Sequence, residues 1–411
     1  MRVAVVDGFS TSRILVRQLA EHAVDCVHLR TQPAFRDSYT RGFDPGAYAV
    51  DLGHLPEDEA VAALRRLAVD RVIAGGESGV VLADTLGHRL GLPGNDVRTA
   101  PARRDKARMA ELLRAAGLAA PSGTLATTAD GAAAWFTANG GTTVVVKPLA
   151  SAATDGVRIC GTATEVREAA GDVLGRPNFI GAPNRAVLVQ DYLEGDEYIV
   201  NTVSRDGVHK VAEILRCAKD KGPHGSPVYD YHEPVPRSDP RGEEVVAYTK
   251  EAVTALGIAH GAAHSEVMLT PAGPVLIETG ARLMGSIHPW VHEKYLGTSH
   301  VHLYALALTD PAAFAAFPDE DLRWSHELRQ VYLSNHRAGV AGSDAWQEHY
   351  RALESFVELS APLATGQPVP QTVDLATVPG YVYLAAPSLA TVDRDRARIR
   401  AYEEQGVYVR P

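Results

Sequence analysis

Residues 264–280, HSEVMLTPAGPVLIETG, carry two glutamates twelve positions apart inside a hairpin pattern. Two apolar-rich runs, 264–270 and 274–280, flank Pro271-Ala272-Gly273. A three-residue connection ending in glycine is a common hairpin loop, because glycine accepts the left-handed conformation required there. That register sets Glu266 directly opposite Glu278 on one face, since side chains alternate along a strand. Val267, Leu269, Val275 and Ile277 then form the core face. Like charges facing each other across a strand pair are destabilising, so a chain that keeps them needs a reason. A cation held between them is one, and two hard carboxylates suit Mg²⁺ or Mn²⁺ bridging substrate phosphates. Two solvated glutamates on an exposed hairpin is the other.

The rest of the chain supplies a frame for this hairpin. Residues 1–95 alternate short apolar strands (3–6 and 72–74) with helical stretches (13–23 and 80–90). This is the βα pattern of a parallel sheet, whose ligands gather at the strand C-terminal ends. Gly91-Leu92-Pro93-Gly94-Asn95 breaks the pattern and marks a boundary. Residues 97–118 read as a helix, 142–147 and 187–190 as strands. Residues 197–203 and 208–215 read as a hairpin across Arg205-Asp206-Gly207. The segment 217–234, rich in Gly, Pro and His, reads as a long loop. A helix over 243–256 precedes the carboxylate hairpin. After residue 328 short strands dominate (330–333, 356–359, 381–384), and a charged helix over 393–404 follows.

Composition excludes some roles. With 411 residues there is room for two or three domains. A formal charge of −10 argues against non-specific nucleic-acid binding, which needs basic surface. Cys26, Cys160 and Cys217 are odd in number and far apart, which fits a reducing cytoplasm better than a disulfide framework. The N-terminus begins at once as a strand, without a signal peptide's regions. No apolar run approaches the ~20 residues of a membrane span.

Other segments can serve phosphate chemistry. Lys147 ends the strand TTVVVK and precedes a small-residue loop, residues 151–157. Such a loop can lay backbone N–H groups and hydroxyls on phosphate oxygens. It lacks the Gly-Lys-Ser/Thr ending of a P-loop, and a plain surface loop reads much the same. Lys106 is a second candidate phosphate cation or a solvated helix lysine. Gln190, with Glu197 seven residues on, can offer adenine an amide and ribose a carboxylate.

The order of these pieces, with VKPLASAATDGV, LVQDYLEGDEYIVNTVSRDG and the hairpin running into GARLMG, resembles the ATP-grasp superfamily. Within it the chain is most similar to the L-amino-acid ligases, which join carboxylates to amines. The resemblance implies an α/β (α+β) chain with the ATP-grasp fold. It would comprise an N-terminal Rossmann-like domain (1–96), an ATP-grasp domain (97–327, lid subdomain about 120–188) and a small β-rich C-terminal domain (328–411). ATP and Mg²⁺ (or Mn²⁺) are the implied cofactors. Lys106 and Lys147 would contact phosphates, and Ser151 to Gly156, with Thr154 and Asp155, would form the lid. Gln190 and the backbone near Tyr192 and Leu193 would hold adenine, Glu197 the ribose, and Glu266 and Glu278 the metal. Arg282 would hold the substrate carboxylate and its acyl-phosphate, with Lys147 and His264 assisting catalysis.

The substrate side would comprise Glu77, for an amino group, and Gly285, Ser286 and His288. Trp290 and His292 follow as further lining of an amine pocket. His264, Glu77 and the lid are alternative bases for the attacking amine, and the 151–156 and 217–234 loops are alternative lids.

Two departures from the superfamily stand out. Gly280 replaces a frequent asparagine metal ligand, and His264 replaces a frequent arginine. The expected activity is an ADP-forming acid–amine ligase acting through an acyl-phosphate, with small acid and amine partners. Oligomeric state, homodimer included, stays open. A bicarbonate-phosphorylating enzyme of the biotin-carboxylase kind and a non-catalytic ATP-binding module are the alternatives.

Overall fold

The computed structural model describes residues 1–151 and 154–410, apart from the side chains of Ser38 and His224. Ala152 and Ala153 of the expected phosphate loop lie outside the described residues.

The N-terminal part is a parallel four-stranded sheet ordered Val50–His54, Asp25–Arg30, Arg2–Val6, Arg71–Ala74. The run Val3-Ala4-Val5-Val6 is wholly buried, as expected for a strand covered on both faces. The loops after Arg2–Val6 and Arg71–Ala74 lie at strand C-terminal ends and carry Phe9–Thr11 and Gly75–Glu77. Close approach between them requires glycine. A Cβ on Gly79 would stand 2.4 Å from Val6 O, and one on Gly75 2.8 Å from Asp7 O. The helix Val80–Leu90 occupies the expected span.

A second sheet, of Gly123–Ala126, Val187–Asp191, Val144–Pro148 and Arg158–Cys160, carries the helices Ala129–Ala138 and Ala163–Val173 on a small core. The third sheet has eight strands, in the order Gly273–Gly280, Gly261–Thr270, Asp196–Arg205, Val208–Lys221, Pro227–Pro234, Glu327–Tyr332, Tyr381–Ala386, Phe356–Ser360. It runs unbroken from the carboxylate hairpin into the C-terminal region, joined where Pro227–Pro234 pairs with Glu327–Tyr332.

Three expectations are corrected. Residues 217–234 are not a loop. They continue the strand Val208–Lys221, turn through Pro223–Gly225 and return as Pro227–Pro234. Pairing on both sides overrides the turn-rich composition. Residues 97–118 are not one helix. A 3₁₀ turn, Ala100–Arg103, precedes the helix Lys106–Ala115, which starts where the Asp105 side chain caps the amides of Ala107 and Arg108.

The third correction concerns the hairpin, which turns through two residues, Pro271 and Ala272, so that Thr270 pairs with Gly273. A bulge then inserts Ile277, and Val267 pairs with Leu276 while Glu266 pairs with Glu278. The bulge moves Leu276 into the core with Val267, and Leu269 packs against it. It sends Ile277 to the cleft instead. A bulge leaves its ladder locally unmade. Here the Leu276 amide donates to Tyr248 Oη (3.0 Å), which itself donates to Ala119 O.

Candidate active site

These three sheets border one cleft of about 1000 Å³. One wall carries Thr143, Val145, Lys147, Ser151, Thr154 and Asp155, on and beside the second sheet. Gln190, Tyr192 and Leu193 continue it, and Lys106, Glu197, Glu266, Glu278 and Arg282 also line the cleft, Glu197 on the strand paired beside that of Glu266. The far end is formed by Phe9–Thr11, Tyr39, Glu77, Gly285 and Ser286. The fold therefore brings nearly every expected residue into one cavity.

Two do not join it. Gly156 turns its α-carbon toward Val173 and Pro148, where a Cβ would be 3.1 Å from Val173. His288 sits at the N-cap position of the helix Pro289–Leu296, without a side-chain capping bond, and packs its ring on Tyr381 and Tyr383. The helical turn also removes its companions: Trp290 is exposed, and His292 is buried with its Nδ1 against Glu213.

Lys106 Nζ lies 2.8 Å from Glu278 Oε2. His264 Nε2 lies 3.5 Å from Glu266 Oε1, and its Nδ1 meets Asn201 Oδ1 at 2.9 Å. Asn201 in turn donates to buried Glu213 (2.6 Å), which fixes the amide's orientation and directs the His264 Nδ1 proton toward it. Burial alone would push Glu266 up. The hydrogen bond from His264 and the charge of Lys219 carry its carboxyl far below the usual range instead.

Lys147 is buried, and desolvation, followed by the charge of Lys106, pulls its ammonium down to about 8. Lys219, on the strand mistaken for a loop, holds both oxygens of Glu197 at 2.6 and 2.7 Å. Burial raises the Glu197 carboxyl even so, and Lys219 opposes it.

At the far end Glu77 is buried between two guanidinium groups. Arg282 Nε donates to it at 2.8 Å, and Arg104 forms a very short ion pair. Burial works against its charge, but Arg104 and then Arg282 hold the carboxyl at about 2. Glu77 is thus already saturated by cations, which leaves it poorly suited to a substrate ammonium. Gly280 also finds its reason here: a Cβ would stand 2.8 Å from Glu77 Oε2 and 3.3 Å from the Arg282 guanidinium.

Lys219, Arg104, Tyr39, Phe179 and His232 went unread in the sequence. His232 lines the cleft with its Nδ1 3.3 Å from Tyr332 Oη, and burial pulls it down to about 3. Ser10, Thr154 and Ser286, all lining residues, adopt left-handed backbone (φ +54°, +56° and +53°), a strain that tends to gather at functional sites.

This fold and cleft define an ATP-grasp enzyme, and the ATP-grasp domain family matches residues 141–289. The chain belongs to the ATP-grasp family. Among its relatives, dapdiamide A synthase of Enterobacter agglomerans is 30% identical over 98% of this chain and 95% of its own length. Among solved structures, an L-amino acid ligase from Bacillus licheniformis superposes with a TM-score of 0.74, at 18% identity and 97% coverage of each chain. A biotin carboxylase from Campylobacter jejuni gives 0.62 at 13% identity, covering 99% of this chain and 97% of its own. No helix among the described residues is long and apolar enough to cross a membrane.

Proposed function

We propose that this enzyme uses ATP to phosphorylate a small carboxylic acid and then transfers the acyl group to the amine of an amino acid or peptide. The supporting observation is the placement of Glu266 and Glu278 face to face, with Lys106 and Lys147 nearby and Arg282 beyond them. The two opposed carboxylates suit Mg²⁺, which when bound would neutralise charge on the phosphates. Glu266 and Glu278 would hold it without an oxygen from position 280, and water would supply further ligands.

Lys106 and Lys147 would face phosphate oxygens, and exchange of Lys106 from Glu278 to a phosphate would free that carboxylate. Gln190 and the segment through Leu193 would bound the adenine, and Glu197 the ribose. Arg282, oriented by Glu77, would present its guanidinium to the substrate carboxylate and then to the tetrahedral oxyanion. Phosphorylation matters because a carboxylate has no adequate leaving group, whereas an acyl-phosphate expels phosphate when an amine attacks. His232, whose imidazole is kept neutral by burial, borders the cleft as a candidate to accept the amine's proton.

The test is Mg²⁺-dependent phosphate release from ATP with amino acids and small acids, alone and in pairs, with products read by mass spectrometry. Release requiring an acid and an amine, with a product lighter than their sum by one water, is the expected result. Release dependent on bicarbonate alone, or nucleotide binding without release for every pair, would reject the reading.

A further inference from the structure

The phosphate lid is fastened at two points to other parts of the molecule. On one side, Asp155 Oδ2 accepts from Ser151 Oγ (2.7 Å) and from the Phe179 amide (2.8 Å), and Asn178 Nδ2 donates to Ala150 O. These bonds tie the loop to the segment carrying Phe179, whose ring meets Tyr39 of the N-terminal part edge-on at 6.0 Å. On the other side, the Leu375 amide donates to Thr154 Oγ1 at 3.1 Å, across 221 residues.

The donor is aimed by its own loop. Thr377 Oγ1 accepts from the amides of Val373 (2.9 Å) and Asp374 (3.0 Å), and Asp374 Oδ1 accepts from the Thr377 amide (2.9 Å). The Leu375 side chain lines the cleft and packs against the cluster containing Met284, Ile287 and Tyr332. Thr154 holds a left-handed conformation that costs a β-branched residue energy, and the hydrogen bond to Leu375 helps to offset it.

We propose that the Thr154–Leu375 hydrogen bond is a clasp that shuts water out of the cleft, making the 372–377 loop a positioning element of the reaction. This rests on the acyl-phosphate reading above. The step it guards against is attack of water on the acyl carbon. There the C–O bond to phosphate breaks, phosphate leaves, and the acid is regenerated with loss of a proton. Every such event consumes ATP without making an amide.

The test compares wild type, Thr154→Val, Thr154→Ser and Thr377→Val. Phosphate released per amide formed is measured, together with hydrogen exchange at the Leu375 amide with and without Mg²⁺ and a non-hydrolysable ATP analogue. Wild type and Thr154→Ser are expected to release about one phosphate per amide. Thr154→Val and Thr377→Val should release about threefold more or higher. Thr377→Val should do so with its KM for ATP unchanged, because Thr377 lies outside the cleft.

The analogue should protect the Leu375 amide in wild type, and Thr154→Val should lose that protection. A ratio that stays at one in both valine variants, in folded protein, overturns the clasp. If wild type shows no carboxylate-dependent release at all, the proposed function fails instead. The exchange comparison then still decides the clasp: protection lost in Thr154→Val supports it, and equal exchange in both proteins overturns it.

Discussion

Glu266 and Glu278 stand directly opposite each other because Ile277 is bulged out between them and the turn. A two-residue turn continued in regular register would have paired Glu266 with Ile277. The bulge restores the carboxylate pair at the cost of one ladder amide, which Tyr248 takes up. The opposition of the two carboxylates is thus tied to a tyrosine from the helix Pro240–Ala255.

Glu278→Gln should keep the fold and lower Mg²⁺-dependent turnover by about 10²-fold or more, because one of two hard oxygen donors loses its charge. Steady-state assays over a Mg²⁺ titration check this. A variant that saturates at the wild-type metal concentration with wild-type turnover would remove Glu278 from the metal site.

Gly280→Asn should not gain a metal ligand. Its Cβ would press on Glu77 and Arg282, so KM for the acid should rise by about tenfold while nucleotide affinity changes little. Separate KM measurements for the acid and for ATP decide it, and tighter Mg²⁺ binding by the variant would contradict the steric account.

Lys147 gives a pH dependence with a definite sign. It is charged below its pKa, which burial and Lys106 set at about 8. Nucleotide affinity should therefore fall as pH rises from 7 to 9, by up to about tenfold, as the free enzyme loses this cation. Calorimetric titration of ADP at both pH values measures it. A slope that persists in Lys147→Met would assign the effect to another group.

Lys219→Met should destabilise by about 3 kcal/mol, because Glu197 is left buried without its cation. Adding Glu197→Gln should recover more than half of that loss. Thermal unfolding of the two single variants and the double variant supplies the cycle, and strict additivity would show that the pair is not coupled.

The parts legible in the sequence were those governed by local rules. Short runs of apolar, β-branched residues marked the strands around Lys147 and Gln190, and the helix Val80–Leu90 followed from apolar spacing closed by Gly91. The opposition of Glu266 and Glu278 was also readable, although by way of a three-residue loop that does not form. What was lost depended on partners distant in the chain. Residues 217–234 look like a loop until Asp196–Arg205 and Glu327–Tyr332 pair beside them, so Lys219 and His232 stayed hidden. The helical start at Pro289 withdrew His288 and His292 from the cleft. Gly280 looked like a missing ligand until Glu77, more than two hundred residues earlier, came to rest against it.

Glu77 comes from the parallel sheet, Arg104 from the connection behind it, and Arg282 from the far side of the carboxylate hairpin. The same guanidinium that would greet the acid also stitches the N-terminal sheet to the rest of the molecule. In the proposed reaction, any acid that draws Arg282 away loosens that seam, and by linkage any strain that opens the seam weakens the grip on the acid. Recognition and cohesion then compete for one side chain, so substrate occupancy should register as a change in how stiffly the N-terminal sheet is held.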